Sequence, residues 1–327
     1  MDRIWLWVIF NLFVFGMLAL DLGVFHRKAH VIRLREALIW STIWTVLALI
    51  FNLYILFYWQ SISPGSEYTN KQAAIAYLTG YIIERALSID NLFVFLVIFT
   101  YFGIPKKYEY KILFWGIIGA LVFRIIFIFS GVALLHAFDW MKYVFGILLL
   151  YTAFKVLVSK DIKVDPDKNP IIRWFKKIYP VSNNMESGKF FILDAGKRMA
   201  TPLFIALLVV EMTDILFAFD SVPAILAITK DPFIVYSANV FAILGLRALY
   251  FAIAGIMGLF AYLHYGLSFV LAFVGVKMML GKEIIPIVVS LGVVLGVIAL
   301  SIILSLLLPP KKKALESETT PTEETKI

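Results

Sequence analysis

The sequence predicts an all-α, polytopic membrane helix bundle of about nine spans. It is 61% hydrophobic and only 16% charged over 327 residues, and its apolar residues occur in long runs. A soluble domain is about one-quarter charged, whereas a membrane-spanning helix needs about 20 consecutive, mostly apolar residues. Nine segments reach or approach that length: 4–25, 36–59, 73–99, 111–136, 140–158, 200–229, 233–260, 264–280 and 286–308.

Helices are the expected conformation of these segments, because lipid offers no hydrogen-bond partner to an open backbone. The segments also lack the alternating pattern of a membrane β-barrel strand. The first segment has too long an apolar core for a cleaved signal peptide and no A-x-A-like site before His26, so we expect it to remain as a span. Residues 1–308 are therefore predicted to form a single transmembrane domain.

The basic residues predict the orientation, with the N-terminus out and the C-terminus in. Nine alternating spans put 20 of the 30 Lys and Arg residues in loops 26–35, 103–111 and 159–200 and in the tail, against 5 on the other side. Cytoplasmic loops carry such an excess. The net charge of +8 thus marks one membrane face. The expected partner is the lipid bilayer, and no nucleic acid is expected.

Two segments outside the spans have distinct compositions. Residues 159–199 form a predicted cytoplasmic loop, in which apolar residues from Ile171 to Tyr179 recur at helical spacing among basic ones. This segment is either an interfacial helix lying on anionic lipid or an ordinary solvated loop. Residues 309–327 begin with a Pro-Pro-Lys-Lys-Lys run and continue rich in Glu, Thr and Ser. They predict a disordered cytoplasmic tail.

An internal repeat is visible in two related acidic motifs, Glu84-x5-Asp90 and Asp214-x5-Asp220. When the motifs are aligned, the two following spans of each copy also carry matched bases. Those matched pairs are Arg124 with Arg247 and Lys155 with Lys277. Because each copy holds three spans, an odd number, the copies must enter the membrane in opposite directions. The sequence therefore predicts an inverted three-plus-three repeat, 73–158 against 200–280.

Eleven charged residues lie within the predicted spans, three or more residues from the span ends. They are Asp21, Glu84, Asp90, Glu211, Asp214 and Asp220 with Arg85, Arg124, Lys155, Arg247 and Lys277. Each charge at the bilayer centre costs at least about 2.5–3.5 kcal/mol, so these residues must pair, bind ions or line water. Two interpretations follow. The bases neutralise the acids in ion pairs that set the helix register, or the acids form a cation site and the bases act as its counter-charges.

Helix geometry predicts breaks beside the acidic motifs. Residues six apart on an unbroken helix point about 120° apart, so both acids of a motif would not face inward. Pro223 lacks an N–H and should free backbone oxygen beside Asp220 and Ser221. In the first copy, Ser88 and Asn91 could satisfy an opened backbone. We predict two interrupted helices whose carboxylates and carbonyls form an oxygen cage.

The available ligand types narrow the ion. The chain has no cysteine, and its four histidines lie in loops or at span ends, which disfavours zinc and copper. Carboxylate, amide and hydroxyl oxygens suit Mg²⁺, Ca²⁺ and Mn²⁺. Met212 either adds a thioether that favours manganese or simply packs. No permanently bound cofactor is expected. The sequence contains no Gly-x4-Gly-Lys-Ser/Thr motif, so direct ATP hydrolysis is not expected, and no enzymatic activity is predicted.

Several longer motifs resemble the TerC family, and its long, Alx-type branch in particular. They include Glu211-x-Thr213-Asp214, the run Phe217 to Ile225 and the run Phe241 to Tyr250. The resemblance covers essentially residues 1–308 and implies a bacterial inner-membrane protein whose relatives export Mn²⁺. It also implies a transport site formed by Asp90, Asn91, Glu211, Asp214, Asp220 and Ser221. Val222 departs from the isoleucine expected there.

Three functions remain open at this point. The first is export of Mn²⁺ through a mid-membrane carboxylate site, driven by proton exchange. The second is a membrane-bound redox role, which an older family label suggests, although the absence of cysteine argues against thiol chemistry. The third is a role as a membrane partner in the assembly of other proteins.

Overall fold

The computed structural model describes residues 3–20, 34–158, 170–182, 188–194, 197–254, 262–280 and 284–307. The predicted all-α class is confirmed, with one small β-hairpin added. The elements are α1 (Arg3–Leu20), α2 (Leu34–Ile62), α3 (Asn70–Tyr101), α4 (Lys106–Ala137), α5 (Met141–Val158), α6 (Pro170–Ile178), β1 (Phe191–Asp194), β2 (Lys197–Ala200), α7 (Pro202–Leu226), α8 (Pro232–Leu244), α9 (Leu246–Ala254), α10 (Leu263–Leu280) and α11 (Ile287–Leu307). The predicted tail, 309–327, lies outside the described residues.

Fewer helices meet the length and apolarity of a membrane span than the nine predicted. Six do so within the described ranges: α2, α4, α5, α7, α10 and α11. The pair α8 and α9 would make a seventh if it counts as one span. The difference comes from α1, whose apolar part, Ile4–Ala19, is shorter than a span, and from α3, which is 32 residues long but carries Lys71, Glu84, Arg85 and Asp90. The direction in which the chain crosses the membrane stays a prediction.

The predicted helix breaks beside the acidic motifs are wrong. Helix α3 continues without interruption past Ser88 and Asn91, and α7 continues through Pro223 to Leu226. Pro223 lies in the last turn of α7, where the loss of one N–H removes only one bond near the helix end. Neither α3 nor α7 is therefore interrupted at its acidic motif.

A break occurs instead at Gly245, within the predicted span 233–260. Helices α8 and α9 meet there at an angle of 41°. The side chain of Arg85 lies against Gly245, because a Cβ added to this glycine would stand 2.4 Å from a guanidinium nitrogen. Arg85 donates hydrogen bonds to the carbonyl of Ala242 at 3.2 Å and to the hydroxyl of Ser41 at 3.0 Å. The carbonyl of Ala242, near the bend, thus accepts a hydrogen bond from the half-buried side chain of Arg85.

The contact between α5 and α10 has the reciprocity of a twofold axis. A Cβ on Gly146 would stand 3.0 Å from the Gly275 carbonyl oxygen, and a Cβ on Gly275 would stand 2.9 Å from the Gly146 oxygen. Farther along, Ser268 donates to the carbonyl of Ala153 at 2.6 Å. Residues 146 and 268 are 122 positions apart, as are 153 and 275. Each contact is therefore the mate of the other, and the two helices run antiparallel.

A second reciprocal pair relates the first two helices of each unit. Gly80 of α3 lies against Ala238 of α8, and Gly116 of α4 lies against Val210 of α7. The separation from Gly80 to Val210 is 130 positions, the same as that between the two motif aspartates. Such exchange of partners is what a twofold relation produces, and it agrees with the inverted repeat.

The predicted loop 159–199 contains more structure than expected. Helix α6 forms part of it, and β1 pairs antiparallel with β2, with Phe191 opposite Ala200 and Leu193 opposite Arg198. The hairpin leads directly into α7, so the predicted span 200–229 begins at Pro202 rather than at residue 200.

Candidate cation site at mid-membrane

Arg124 of α4 is the centre of a buried charged cluster. Its guanidinium donates to the carboxylate of Glu84 on α3 and to the amide oxygen of Asn239 on α8. A second guanidinium nitrogen lies 3.8 Å from a carboxylate oxygen of Asp214 on α7. All four side chains are buried. The cluster therefore joins helices of both predicted repeat units, and its two acids are the pair that the repeat alignment matches.

The cluster lies midway along the helices that carry it. Asp214 is 12 residues from each end of α7, which is about 18 Å at a rise of about 1.5 Å per residue. Glu84 and Arg124 are each at least 13 residues from the ends of α3 and α4. A hydrocarbon core is about 30 Å thick, so helices of this length that cross it would carry these charges near its centre.

Several oxygens of the cluster have unused bonding capacity. One oxygen each of Glu84, Asp214 and Glu211, and the Nε of Arg124, is buried without a hydrogen-bond partner among the described residues. Leaving a buried polar atom unsatisfied costs about 1–3 kcal/mol, more for a charged group. Three carboxylate oxygens at this depth are therefore suited to receive a cation or a proton.

Glu211 extends the cluster by one turn of α7. It precedes Asp214 by three residues and interacts with it electrostatically, because side chains three apart share a helix face. Its carboxylate packs on Gly119 of α4, where a Cβ would stand 2.0–2.2 Å from the carboxylate atoms. Any larger residue at this position would require the carboxylate of Glu211 to move.

Asp220 occupies a second, separate position. It accepts a hydrogen bond of 2.7 Å from Thr152 of α5 and interacts with Lys155. Six residues separate it from Asp214, about 9 Å along α7. The neighbouring hydroxyl of Ser221 is buried without a partner among the described residues. The part of the chain that the structure describes holds no group of three acidic or histidine side chains close enough for one metal ion, so the predicted single cage is not preformed there.

The matched bases do not have matched surroundings. Arg247 lines a small cavity together with Asp214, yet its guanidinium lies over the ring of Tyr110 at 4.6 Å. Lys277 is buried and donates to Ser290 of α11 at 2.5 Å, whereas Lys155 is exposed on α5. Arg124 is thus the one predicted base that these contacts place between two acids.

Of the remaining predicted site residues, some lie in the part of the chain that the structure describes and others do not. Asp21 lies outside the described residues. Asp90 belongs to α3, but its side chain is not described. Ser88 and Asn91 are buried on the same helix, and Ser88 follows Glu84 by one turn. Met212 is half-buried on α7.

A wide cavity opens beyond Asp220. It has a volume of about 520 Å³, and Leu226 at the end of α7 lines it together with Lys142, Lys230 and Lys277. Asp220 is six residues before Leu226, so it lies between this vestibule and the buried cluster. The acids of α7 therefore form a sequence of positions from mid-helix to one open end.

Sequence reasoning missed three residues of this site. Asn239 carries an amide within an apolar span. The argument that a charge within a span needs a partner applies to amides as well, and could have identified this residue. Thr152 and Gly119 carry no such signal. A threonine that donates to an acid and a glycine that makes room for one are recognisable only once the neighbouring helix is placed.

Comparison with known proteins identifies the family. The sequence profile described as "Integral membrane protein TerC family" matches residues 69–313. The chain is 46% identical to the uncharacterized membrane protein STKORF319 of Myxococcus xanthus, over 92% of both chains. It is 41% identical to an Escherichia coli K12 protein provisionally named membrane-bound redox modulator Alx, over 92% of this chain and 94% of that one.

A third relative, an uncharacterized membrane protein of Rickettsia bellii, is 38% identical over 92% of this chain and 97% of its own. No solved structure matches. Both the profile and the relatives cover most of the chain, including every element of the buried cluster. The chain belongs to the TerC family of integral membrane proteins.

Proposed function

We propose that this chain is a secondary transporter that exports a divalent metal ion, Mn²⁺, across the bacterial inner membrane in exchange for protons. The observation that carries the proposal is Arg124, buried at mid-helix between Glu84 and Asp214. Those two acids come from opposite repeat units. A site shared by inverted repeats at mid-membrane is the usual position of a transporter's substrate site.

Charge balance supports exchange rather than permanent binding. Glu84 and Asp214 together carry two negative charges when ionised, and Arg124 neutralises one of them. A divalent cation can use both carboxylates only if the guanidinium moves away, which makes Arg124 a competitor of the cargo. Carboxylates also accept protons. After the metal leaves, the same carboxylates can bind protons and carry them across the membrane in the opposite direction.

The donor set supports a hard cation. Carboxylate oxygens of Glu84, Asp214 and Glu211, with the amide of Asn239, suit Mn²⁺, Mg²⁺ or Ca²⁺. The thioether of Met212, adjacent to Glu211 in the chain, would favour Mn²⁺ among these. Asp220 is the next acid toward the vestibule and would take the ion on its way out.

A redox role is the second candidate, since relatives carry that name. The chain has no cysteine for thiol chemistry. His136 and Lys277 line the vestibule, while His264 lies at the other end of the helix that carries Lys277. These two histidines cannot ligate one haem. A visible absorbance band on the purified protein would favour the redox role.

Metal-resolved flux in vesicles tests the transport proposal. The purified chain is reconstituted, and Mn²⁺, Mg²⁺ and Ca²⁺ movement is recorded under a metal gradient and under a pH gradient. Wild type should move Mn²⁺ fastest, Asp220→Asn should abolish most of the flux, and Asp139→Asn, an exposed Asp outside the cluster, should match wild type.

Flux that stays at the level of empty vesicles under both gradients would reject the transport proposal. An assembly role makes a different prediction. Asp220→Asn would then preserve the cellular function as long as the variant reaches the membrane.

A further inference from the structure

Helix α6 presents three different stripes although it is only nine residues long. Phe175 and Tyr179 turn toward the bundle, and their rings stack at 5.7 Å. Arg173 and Lys177 are exposed and form a basic stripe. Between the two, Trp174 is 63% exposed and Ile178 is 61% exposed. An amphipathic helix with exposed tryptophan beside basic residues is the usual form of a helix that lies in a membrane interface.

The hairpin also carries exposed apolar and basic side chains. Leu193 on β1 is 81% exposed, and Arg198, its partner across the strands, is exposed as well. Lys197 beside it is also exposed. We call α6 together with strands β1 and β2 the platform. The exposed side chains that the structure describes on it are all apolar or basic.

The platform is fixed to the start of α7. Phe204, in the first turn of α7, contacts Phe175 at 5.5 Å and Phe191 at 4.6 Å between ring centroids. Thr201, which precedes α7, donates through its hydroxyl to the carbonyl of Lys189 at 2.8 Å. A displacement of the platform must therefore move the end of the helix that carries Glu211, Asp214 and Asp220.

We propose that the platform binds the anionic phospholipid headgroups of the leaflet at which α7 begins. Four exposed basic side chains supply charge complementarity, and the three exposed apolar side chains supply insertion into the acyl boundary. The platform directly joins a membrane-spanning helix, so the headgroup layer is within its reach. Lipid binding would hold the first turn of α7 in place. An effect of this binding on metal flux rests on the proposed transport function.

The absence of cysteine from the chain makes a direct test possible. Trp174→Cys is labelled with an environment-sensitive fluorophore and reconstituted into vesicles of phosphatidylcholine with increasing phosphatidylglycerol. We expect emission to shift to the blue as the anionic fraction rises, and lipids brominated on the acyl chain to quench it. Emission typical of a water-exposed probe at every lipid composition would overturn the proposal, whether or not a protein covers this face in the cell.

Charge-removal variants make the test specific. Arg173→Gln with Lys177→Gln in the labelled chain should raise the anionic fraction needed for half of the shift severalfold, or prevent the shift at every fraction, because two of the four exposed charges that attract anionic lipid are lost. Lys106→Gln with Lys107→Gln removes two exposed charges outside the platform and should leave the curve nearly unchanged. Equal effects of the two pairs would refute a platform-specific site.

The lipid test and the transport test fail independently. A blue shift without metal flux in any variant would retain the lipid site and reject the transport proposal. Flux that is the same in neutral and anionic vesicles, together with an unshifted probe, would reject the lipid site and retain transport.

Discussion

Removal of Arg124 should destabilise the protein strongly. Arg124→Gln leaves the carboxylates of Glu84 and Asp214 buried without their cation. Breaking a buried ion pair by removing one partner costs about 3–5 kcal/mol. Two charge-assisted hydrogen bonds, to Glu84 and Asn239, are lost at about 1.5–3 kcal/mol each, which gives the same range. The ion pair with Asp214, at 3.8 Å and without a hydrogen bond, adds less.

The free energy of unfolding can be measured by titrating the protein with dodecyl sulfate in mixed micelles, with tryptophan fluorescence as the signal. Lys106→Gln, an exposed basic residue on the same helix, should change stability by less than about 0.5 kcal/mol. Glu84→Gln combined with Arg124→Gln should lose less than the sum of the single changes, because the charges then disappear together. A loss below about 1 kcal/mol for Arg124→Gln, or strict additivity, would contradict a buried pair.

Three further substitutions probe the contacts around the site. Gly119→Ala places a methyl group where the carboxylate of the packed glutamate lies, and should weaken Mn²⁺ affinity in vesicle flux by roughly tenfold, about 1.4 kcal/mol. Gly296→Ala, where nothing lies within 4 Å of the added Cβ, is its neutral control. Gly275→Ala should cost about 1–3 kcal/mol of unfolding free energy by overpacking α5 against α10. Thr152→Val removes the hydroxyl that donates to Asp220, and should change the KM for Mn²⁺ while unfolding stays two-state.

The sequence was sufficient for the fold class and for the pairing of the main acids. Long apolar runs specify spanning helices because lipid leaves the backbone no alternative. The spacing of the two acidic motifs matched Glu84 with Asp214, and the structure brings both to Arg124. The alignment predicts that the two acids occupy equivalent positions, and their common contact with Arg124 agrees with that prediction.

Other features of the site depend on packing that local sequence does not encode. Pro223 suggested a break, but its position in the last turn of α7 makes it harmless there. The bend at Gly245 depends on Arg85, which arrives from another helix. Likewise, Arg124 and Arg247 look equivalent in the sequence, and only their neighbours decide that one joins the acids while the other lies over an aromatic ring.

Manganese flux by Asp214→Asn in vesicles tests the central claim most directly. The substitution keeps the size of the side chain and removes the charge that the repeat pairs with Glu84. With equal amounts of folded protein, we predict wild-type flux for Asp139→Asn and flux near that of empty vesicles for Asp214→Asn. Wild-type Mn²⁺ flux in Asp214→Asn would contradict a transport site formed by the mid-membrane carboxylates.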